Sequence, residues 1–104
     1  MSILSILGLG GNKIKDALRK GAAIIDVRTA QEFDQGKVPG SINIPVDRIA
    51  INMERIRSMH KPIVLCCASG ARSEQAATML KANGIKEVYN GGSWVRVLRL
   101  IKSL

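Results

Sequence analysis

The sequence predicts an α/β fold in which a central parallel sheet of about five strands is flanked by helices on both faces. Short apolar runs alternate with segments whose apolar residues recur at helical spacing, which is typical of β-α-β units. The runs 22–27 and 62–66 are apolar without alternation, as expected for strands covered on both sides. No repeat or linker interrupts the 104 residues, so a single domain over 1–104 is expected.

The first half of the chain predicts two helices and two strands after an apolar N-terminus. Residues 1–9 predict a first strand or a docked terminus, because they are too few to span a membrane and lack the features of a secretory signal. A helix over 12–20 begins with an asparagine that can cap it and is followed by a glycine. After strand 22–27, a short helix over 29–35 and a brief strand within 38–45 are predicted.

The second half adds three helical segments and two strands. Apolar residues at helical spacing predict a helix over 46–59, ahead of the second apolar strand. Residues 73–83 predict a helix that ends before a glycine, and residues 87–89 predict a short strand. The glycine pair 91–92 predicts a turn. Residues 94–104 then predict an amphipathic helix with basic residues on one face.

Composition restricts the partners. Sixteen basic residues against eight acidic ones give a net charge of +8, which favours a small anionic substrate or an acidic donor or acceptor protein. A protein that binds single-stranded nucleic acid needs aromatic side chains for base stacking, and this sequence has three aromatic residues in all. We therefore expect no nucleic-acid partner.

The two cysteines, Cys66 and Cys67, are adjacent. A disulfide between neighbours would be strained, and a zinc site needs more ligands than two thiols and the single histidine, His60. Free thiols are typical of a reducing compartment, so a cytoplasmic location is expected, with neither a metal nor another cofactor.

The stretch VLCCASGARS, residues 64–73, leads from an apolar strand into a predicted helix. Backbone N–H groups in such a turn can converge on an anion, and the helix dipole and Arg72 add positive potential. Gly70 permits unusual backbone angles, and small side chains leave room above the loop, at Ala68, Ser69 and Ala71. A cysteine there is expected to have its pKa lowered toward roughly 3.5–7.5.

The spacing to Arg72 distinguishes the two cysteines. Four residues separate Cys67 from Arg72, a small ring suited to one extra sulfur, whereas five separate Cys66 from it, a ring suited to a phosphoryl group. Cys66 continues the apolar strand, so its side chain is expected to point away from that of Cys67 and into the core. Cys67 is therefore the predicted nucleophile.

Three segments of the sequence resemble the single-domain rhodanese family, the thiosulfate sulfurtransferases. They are IIDVRTAQEFDQGKVPGSINIP (24–45), VLCCASGARS (64–73) and VYNGGSW (88–94), in the family's order. Departures from the family pattern include Ala68 in place of a basic residue, Lys37 in place of histidine and Ser41 in place of alanine. The missing charge at Ala68 disfavours a dianion such as thiosulfate.

The resemblance implies a rhodanese-like fold and a set of functional residues. Cys67 would accept sulfur, and the loop from Ala68 to Ser73 would bind the anion. The resemblance also implies supporting places for Asp26, Arg28 and Glu32. From their spacing alone, Asp26 and Arg28 would be an ion pair at the end of a strand.

Three functions are compatible with these patterns. The leading hypothesis is a sulfurtransferase that moves sulfane sulfur, from thiosulfate or a protein persulfide, through a Cys67 persulfide to a nucleophilic acceptor. The second is a cysteine-dependent phosphatase or arsenate reductase that uses Cys66 and Arg72. The third is a non-enzymatic module that binds an anion or a protein.

Overall fold

The computed structural model describes residues 10–104, whose strands form one parallel sheet with the order β2-β1-β3-β4. The strands are β1 (Ala23–Asp26), β2 (Ile42–Asn43), β3 (Ile63–Cys67) and β4 (Val88–Ser93). The helices are α1 (Gly10–Arg19), α2 (Ala30–Gln35), α3 (Met53–Arg57), α4 (Ala71–Ala82) and α5 (Trp94–Lys102). Within residues 10–104, no helix combines the length and apolarity that a membrane crossing requires.

The predicted α/β class is confirmed, because helices cover both faces of the sheet. Side chains of β3 alternate between two apolar clusters, so that Leu65 packs with α4 on one face and Val64 packs with α1 and α5 on the other. All five residues of β3 are buried, as the continuous apolar run predicts for a central strand. The described sheet has four strands rather than about five, and the first predicted strand falls within 1–9, outside the described residues.

The predicted helix over 46–59 is interrupted. Residues 46–52 form two 3₁₀ turns, and only Met53–Arg57 is α-helical. The side chain of Asn52 donates to the Arg48 carbonyl at 2.9 Å, while the Asn52 N–H donates to the Ile49 carbonyl at 3.1 Å. The Asn52 side chain thus occupies the Arg48 carbonyl, to which the Asn52 backbone N–H would donate in an α-helix. That N–H donates to the Ile49 carbonyl instead, which is the pattern of a 3₁₀ turn.

The prediction of a turn at the glycine pair 91–92 is wrong, because β4 continues through both glycines to Ser93. Gly91 is buried against its neighbours, and a Cβ there would lie 2.6 Å from Val97 Cγ2 and 2.9 Å from the Leu65 carbonyl oxygen. The glycine is therefore needed for close approach of β4 to β3 and α5. The pairing of β3 with β4 changes register at this level, between Leu65 and Cys67.

We predict that Gly91→Ala lowers the free energy of unfolding by about 1–3 kcal/mol, because the backbone carbonyl of Leu65 cannot move aside for the added methyl group. Urea denaturation followed by circular dichroism measures the change. Gly11→Ala is the matched control, since a Cβ at Gly11 meets nothing closer than 3.6 Å. Equal destabilisation by the two substitutions would contradict the steric argument.

Candidate active site

The two cysteines end β3 at the carboxyl edge of the sheet, where parallel sheets bind their ligands. Only Ala68, Ser69 and Gly70 separate Cys67 from α4. The predicted start of this helix at Ser73 is wrong by two residues, so Arg72 and Ser73 lie in its first turn. Gly70 has a φ of 106°, which is the left-handed conformation that the sequence predicts for it.

The Cys67 sulfur accepts a hydrogen bond from the Gly70 N–H at 2.9 Å and lies 3.5 Å from the Ser73 hydroxyl oxygen. Burial acts to raise the pKa of this thiol, but the Ser73 hydroxyl and the backbone N–H groups of Ser73, Gly70 and Ser69 outweigh burial and lower it. The direction is the one expected from the sequence. These donors favour the thiolate form of Cys67.

Cys66 is held in a different environment. Both cysteines are buried, yet Cys66 belongs to the apolar cluster of Val64 and Val97 on the opposite face of the sheet, as predicted. Burial, followed by the nearby Asp26 carboxylate, raises the pKa of the Cys66 thiol to about 12. Cys66 is therefore protonated at neutral pH, and its side chain does not face the loop.

Arg72 is bound to a carboxylate. Its Nη1 and Nη2 donate to the two oxygens of Glu32 at 2.7 and 2.9 Å. Glu32 also accepts from the Thr29 N–H in a capping box at the start of α2. The Arg72 guanidinium, followed by the Thr29 N–H, lowers the pKa of Glu32 to about 2. The charge that the sequence assigns to Arg72 is thus neutralised by a partner from another element.

Asp26 and Arg28 form the predicted ion pair. The Arg28 guanidinium donates to the Asp26 carboxylate at 2.7–3.0 Å and to the Gly36 carbonyl at 2.6 Å, and it lies 5.0 Å from the centre of the Trp94 ring. Asp26 is the main cause of the raised pKa of Arg28. Among the described residues, neither Asp26 nor Arg28 forms a hydrogen bond with Cys67. The pair instead supports α2, which carries Glu32.

Asn90, in β4, is a further residue of the site that the sequence did not predict. Its side-chain Nδ2 donates to the Gly70 carbonyl at 3.1 Å and to the Glu74 carboxylate at 3.0 Å. Its Oδ1 accepts from the Ser73 hydroxyl at 2.6 Å and from the Gly92 N–H at 2.9 Å. An amide near the carboxyl end of a strand was the available signal, but the contacts themselves depend on the pairing of β4 with β3.

The site has no metal-ligating cluster. Within residues 10–104, no group of three or more histidine, cysteine, aspartate or glutamate side chains is close enough together to hold a metal ion. The reactive chemistry that the described residues support is that of a thiolate held by backbone and hydroxyl donors. These features define an α/β protein with a cysteine loop at the end of its central strand.

Comparison with known proteins assigns the family. The chain belongs to the rhodanese-like domain family, whose model matches residues 11–95. It is 41% identical over 69 residues to the uncharacterized protein YqhL of Bacillus subtilis, a match covering 66% of this chain and 54% of YqhL, so the chain spans about half of that relative. It is 36% identical over 75 residues to the thiosulfate sulfurtransferase GlpE of Pseudomonas syringae, covering 71% of this chain and 70% of GlpE.

A solved structure supports the same conclusion. The human single-domain sulfurtransferase TSTD1 superposes with a TM-score of 0.66 at 25% sequence identity, over 85% of this chain and 91% of that one. The predicted rhodanese-like fold is confirmed.

We predict that alkylation with iodoacetamide at pH 7 modifies Cys67 and leaves Cys66 unmodified. The lowered pKa of Cys67 favours its reactive thiolate at neutral pH compared with an ordinary cysteine, whereas the pKa of about 12 keeps Cys66 protonated. Mass spectrometry of Cys66→Ser and Cys67→Ser measures each site separately. The rate for Cys66→Ser should rise with pH to a midpoint below that of an unperturbed cysteine. Preferential labelling of Cys66 would contradict the assignment.

We predict that Asn90→Ala lowers the free energy of unfolding by about 1–3 kcal/mol, because the Gly92 N–H loses its acceptor and the Gly70 carbonyl loses a donor. Urea denaturation checks this value. Asn83→Ala is the matched control, since Asn83 also donates to a backbone carbonyl but lies at the surface. Its loss should be well below that of Asn90→Ala, and a similar loss would argue against a special role for Asn90.

Proposed function

We propose that this protein is a sulfurtransferase that moves a sulfane sulfur through a persulfide on Cys67. The observation that carries the proposal is the position of the Cys67 sulfur at the end of β3, where it accepts a hydrogen bond from the Gly70 N–H at 2.9 Å. The pKa of the Cys67 thiol is lowered there. Membership of the rhodanese-like family and the names of GlpE and TSTD1 support the same reaction class.

The reaction takes place in two displacements. The Cys67 thiolate attacks the outer sulfur of the donor, a new S–S bond forms on Cys67, and the donor's S–S bond breaks. The leaving group keeps the electron pair, as sulfite from thiosulfate or as a thiolate from a persulfide. An acceptor nucleophile then attacks the terminal sulfur and restores the Cys67 thiolate. No net oxidation occurs, and the lowered pKa of Cys67 favours the thiolate that attacks.

The loop residues have separate roles in this mechanism. The backbone N–H groups of Gly70, Ser73 and Ser69 stabilise negative charge on the Cys67 sulfur. The small side chains of Ala68, Ser69 and Ala71 leave space for the donor. Arg72 positions the start of α4 through its bond to Glu32.

The charge at the site favours one class of donor. Ala68 carries no charge, and Arg72 is neutralised by Glu32, so the loop itself offers backbone dipoles rather than a free cation. A persulfide carries one negative charge near the reacting sulfur, whereas thiosulfate carries two. We therefore infer that a persulfide is a better sulfur donor than thiosulfate. We also propose that the transfer takes place in the cytoplasm.

The alternatives are less well supported. A phosphatase or arsenate reductase would need Cys66 as nucleophile, but that thiol faces the opposite side of the sheet and has a pKa of about 12. A non-enzymatic binding module would not require donors arranged around a thiolate sulfur. Sulfur loading distinguishes all three.

We predict that wild type and Cys66→Ser each gain one sulfur atom after brief exposure to a small-molecule persulfide, whereas Cys67→Ser gains none. Intact mass spectrometry measures the gain, and added cyanide should remove the sulfur as thiocyanate. Thiosulfate should load more slowly than the persulfide, because it presents a dianion to a loop without a free cation.

If loading depends on Cys66 instead, the assignment of Cys67 as the nucleophile is wrong. If neither donor loads sulfur, although iodoacetamide still alkylates Cys67 in a separate sample of the same protein, a binding module is favoured over a sulfurtransferase.

A further inference from the structure

We propose that a basic groove beside the Cys67 loop binds an extended acidic segment of a partner protein, which presents its cysteine persulfide to Cys67. The proposal rests on the proposed sulfurtransferase activity and names its donor. The groove has a volume of about 710 Å³ and reaches the loop at Ser69 and Gly70. It is bounded by α1, α4, α5 and β4.

The groove carries an excess of positive charge. Its basic residues come from three helices, Lys13 from α1, Lys81 from α4 and Arg96 from α5. Its one acidic residue, Glu74, already accepts a hydrogen bond from the Asn90 side chain at 3.0 Å. Among residues 10–104, the three basic side chains form no ion pair. Their charges are thus available to the carboxylates of a ligand.

Arg96 is held in place before any ligand binds. Its Nη1 donates to the Gly91 carbonyl at 2.9 Å, and the side chain is half-buried. A backbone carbonyl fixes the guanidinium without cancelling its charge, and the other N–H groups retain the fork geometry that matches a carboxylate. Less side-chain entropy is then lost on binding.

The wall of the groove favours an extended peptide. Four residues of β4 line it, Val88, Tyr89, Asn90 and Gly92. They follow roughly 16 Å of strand at about 3.3 Å per residue, which is long for a small molecule and suitable for a peptide.

RNA fits this surface less well. Base stacking requires several aromatic faces, and Tyr89 is the one aromatic residue among those lining the groove. Positive charge along an elongated groove is matched by a peptide that carries several side-chain carboxylates.

The sulfur transfer is balanced without a further reactant. The outer sulfur of the partner's cysteine persulfide bonds to the Cys67 sulfur, the partner's S–S bond breaks, and the partner leaves as a thiolate with the electron pair. Docking of the acidic segment determines which persulfides reach the loop, while the Gly70 N–H stabilises negative charge on the Cys67 sulfur.

The test compares two synthetic peptides of about ten residues, each carrying one cysteine persulfide, flanked either by glutamates or by serines. Transfer to the 104-residue chain is followed over time by mass spectrometry, which gives the second-order rate constant for loading of Cys67. We expect wild type to prefer the glutamate peptide by roughly tenfold at low salt, and the preference to decrease as salt screens the charges.

The variants locate the effect. Lys13→Glu combined with Lys81→Glu should reduce the preference for the glutamate peptide to about one or below. Lys61→Glu combined with Lys86→Glu changes the net charge equally but lies in a cleft at the opposite end of the sheet, and it should keep most of the preference. Equal losses in the two double variants would overturn the groove and indicate a general charge effect.

Further outcomes separate this proposal from the proposed function. Binding of the reduced glutamate peptide to Cys67→Ser, measured by fluorescence anisotropy, reports docking without chemistry. If neither persulfide transfers sulfur but this binding is tight and sensitive to the groove variant, the sulfurtransferase proposal fails and the groove remains. If both peptides transfer sulfur equally well, the groove assignment is wrong. Stronger competition by an RNA oligonucleotide than by the glutamate peptide would assign the groove to nucleic acid.

Discussion

The buried ion pair between Asp26 and Arg28 connects the end of β1 to Gly36 at the end of α2 and to Trp94 at the start of α5. Burial of two charges costs several kcal/mol per ion unless their remaining polar groups are satisfied. Here the guanidinium also donates to the Gly36 carbonyl and lies over the Trp94 ring, while the Asn43 amide donates to the backbone carbonyls of both pair members. The pair thus fixes α2 and α5 relative to β1 and β2.

The candidate site depends on that arrangement because its loop is held from two sides. On one side, α2 brings the Glu32 carboxylate to Arg72. On the other, the Asn90 side chain in β4 holds Gly70, whose N–H meets the Cys67 sulfur. The positive charge that remains lies in the neighbouring groove rather than at the sulfur. In the proposed mechanism, recognition of a donor and stabilisation of the thiolate are therefore carried out by different groups.

Much of the fold and part of the site could be predicted because their causes are local. Unbroken apolar runs identified β1 and β3, since a strand covered on both faces needs apolar side chains at every position. Side-chain alternation placed Cys66 and Cys67 on opposite faces. The spacing of Asp26 and Arg28 predicted their ion pair. The 3₁₀ turns after Pro45 were not predicted, because a hydrogen bond of the Asn52 side chain replaces the helical one.

The sequence by itself determined the class of fold, the loop that follows the central strand and the cysteine that faces it. Only the tertiary structure decided that Asn90 supports the loop, that Glu32 neutralises Arg72 and that Gly91 lies within β4. Periodicity and turn signals record which face of an element is buried, so they can be recognised along a single chain. Contacts between residues 20 or 40 positions apart depend on how strands pair and helices pack, and no local pattern encodes that pairing.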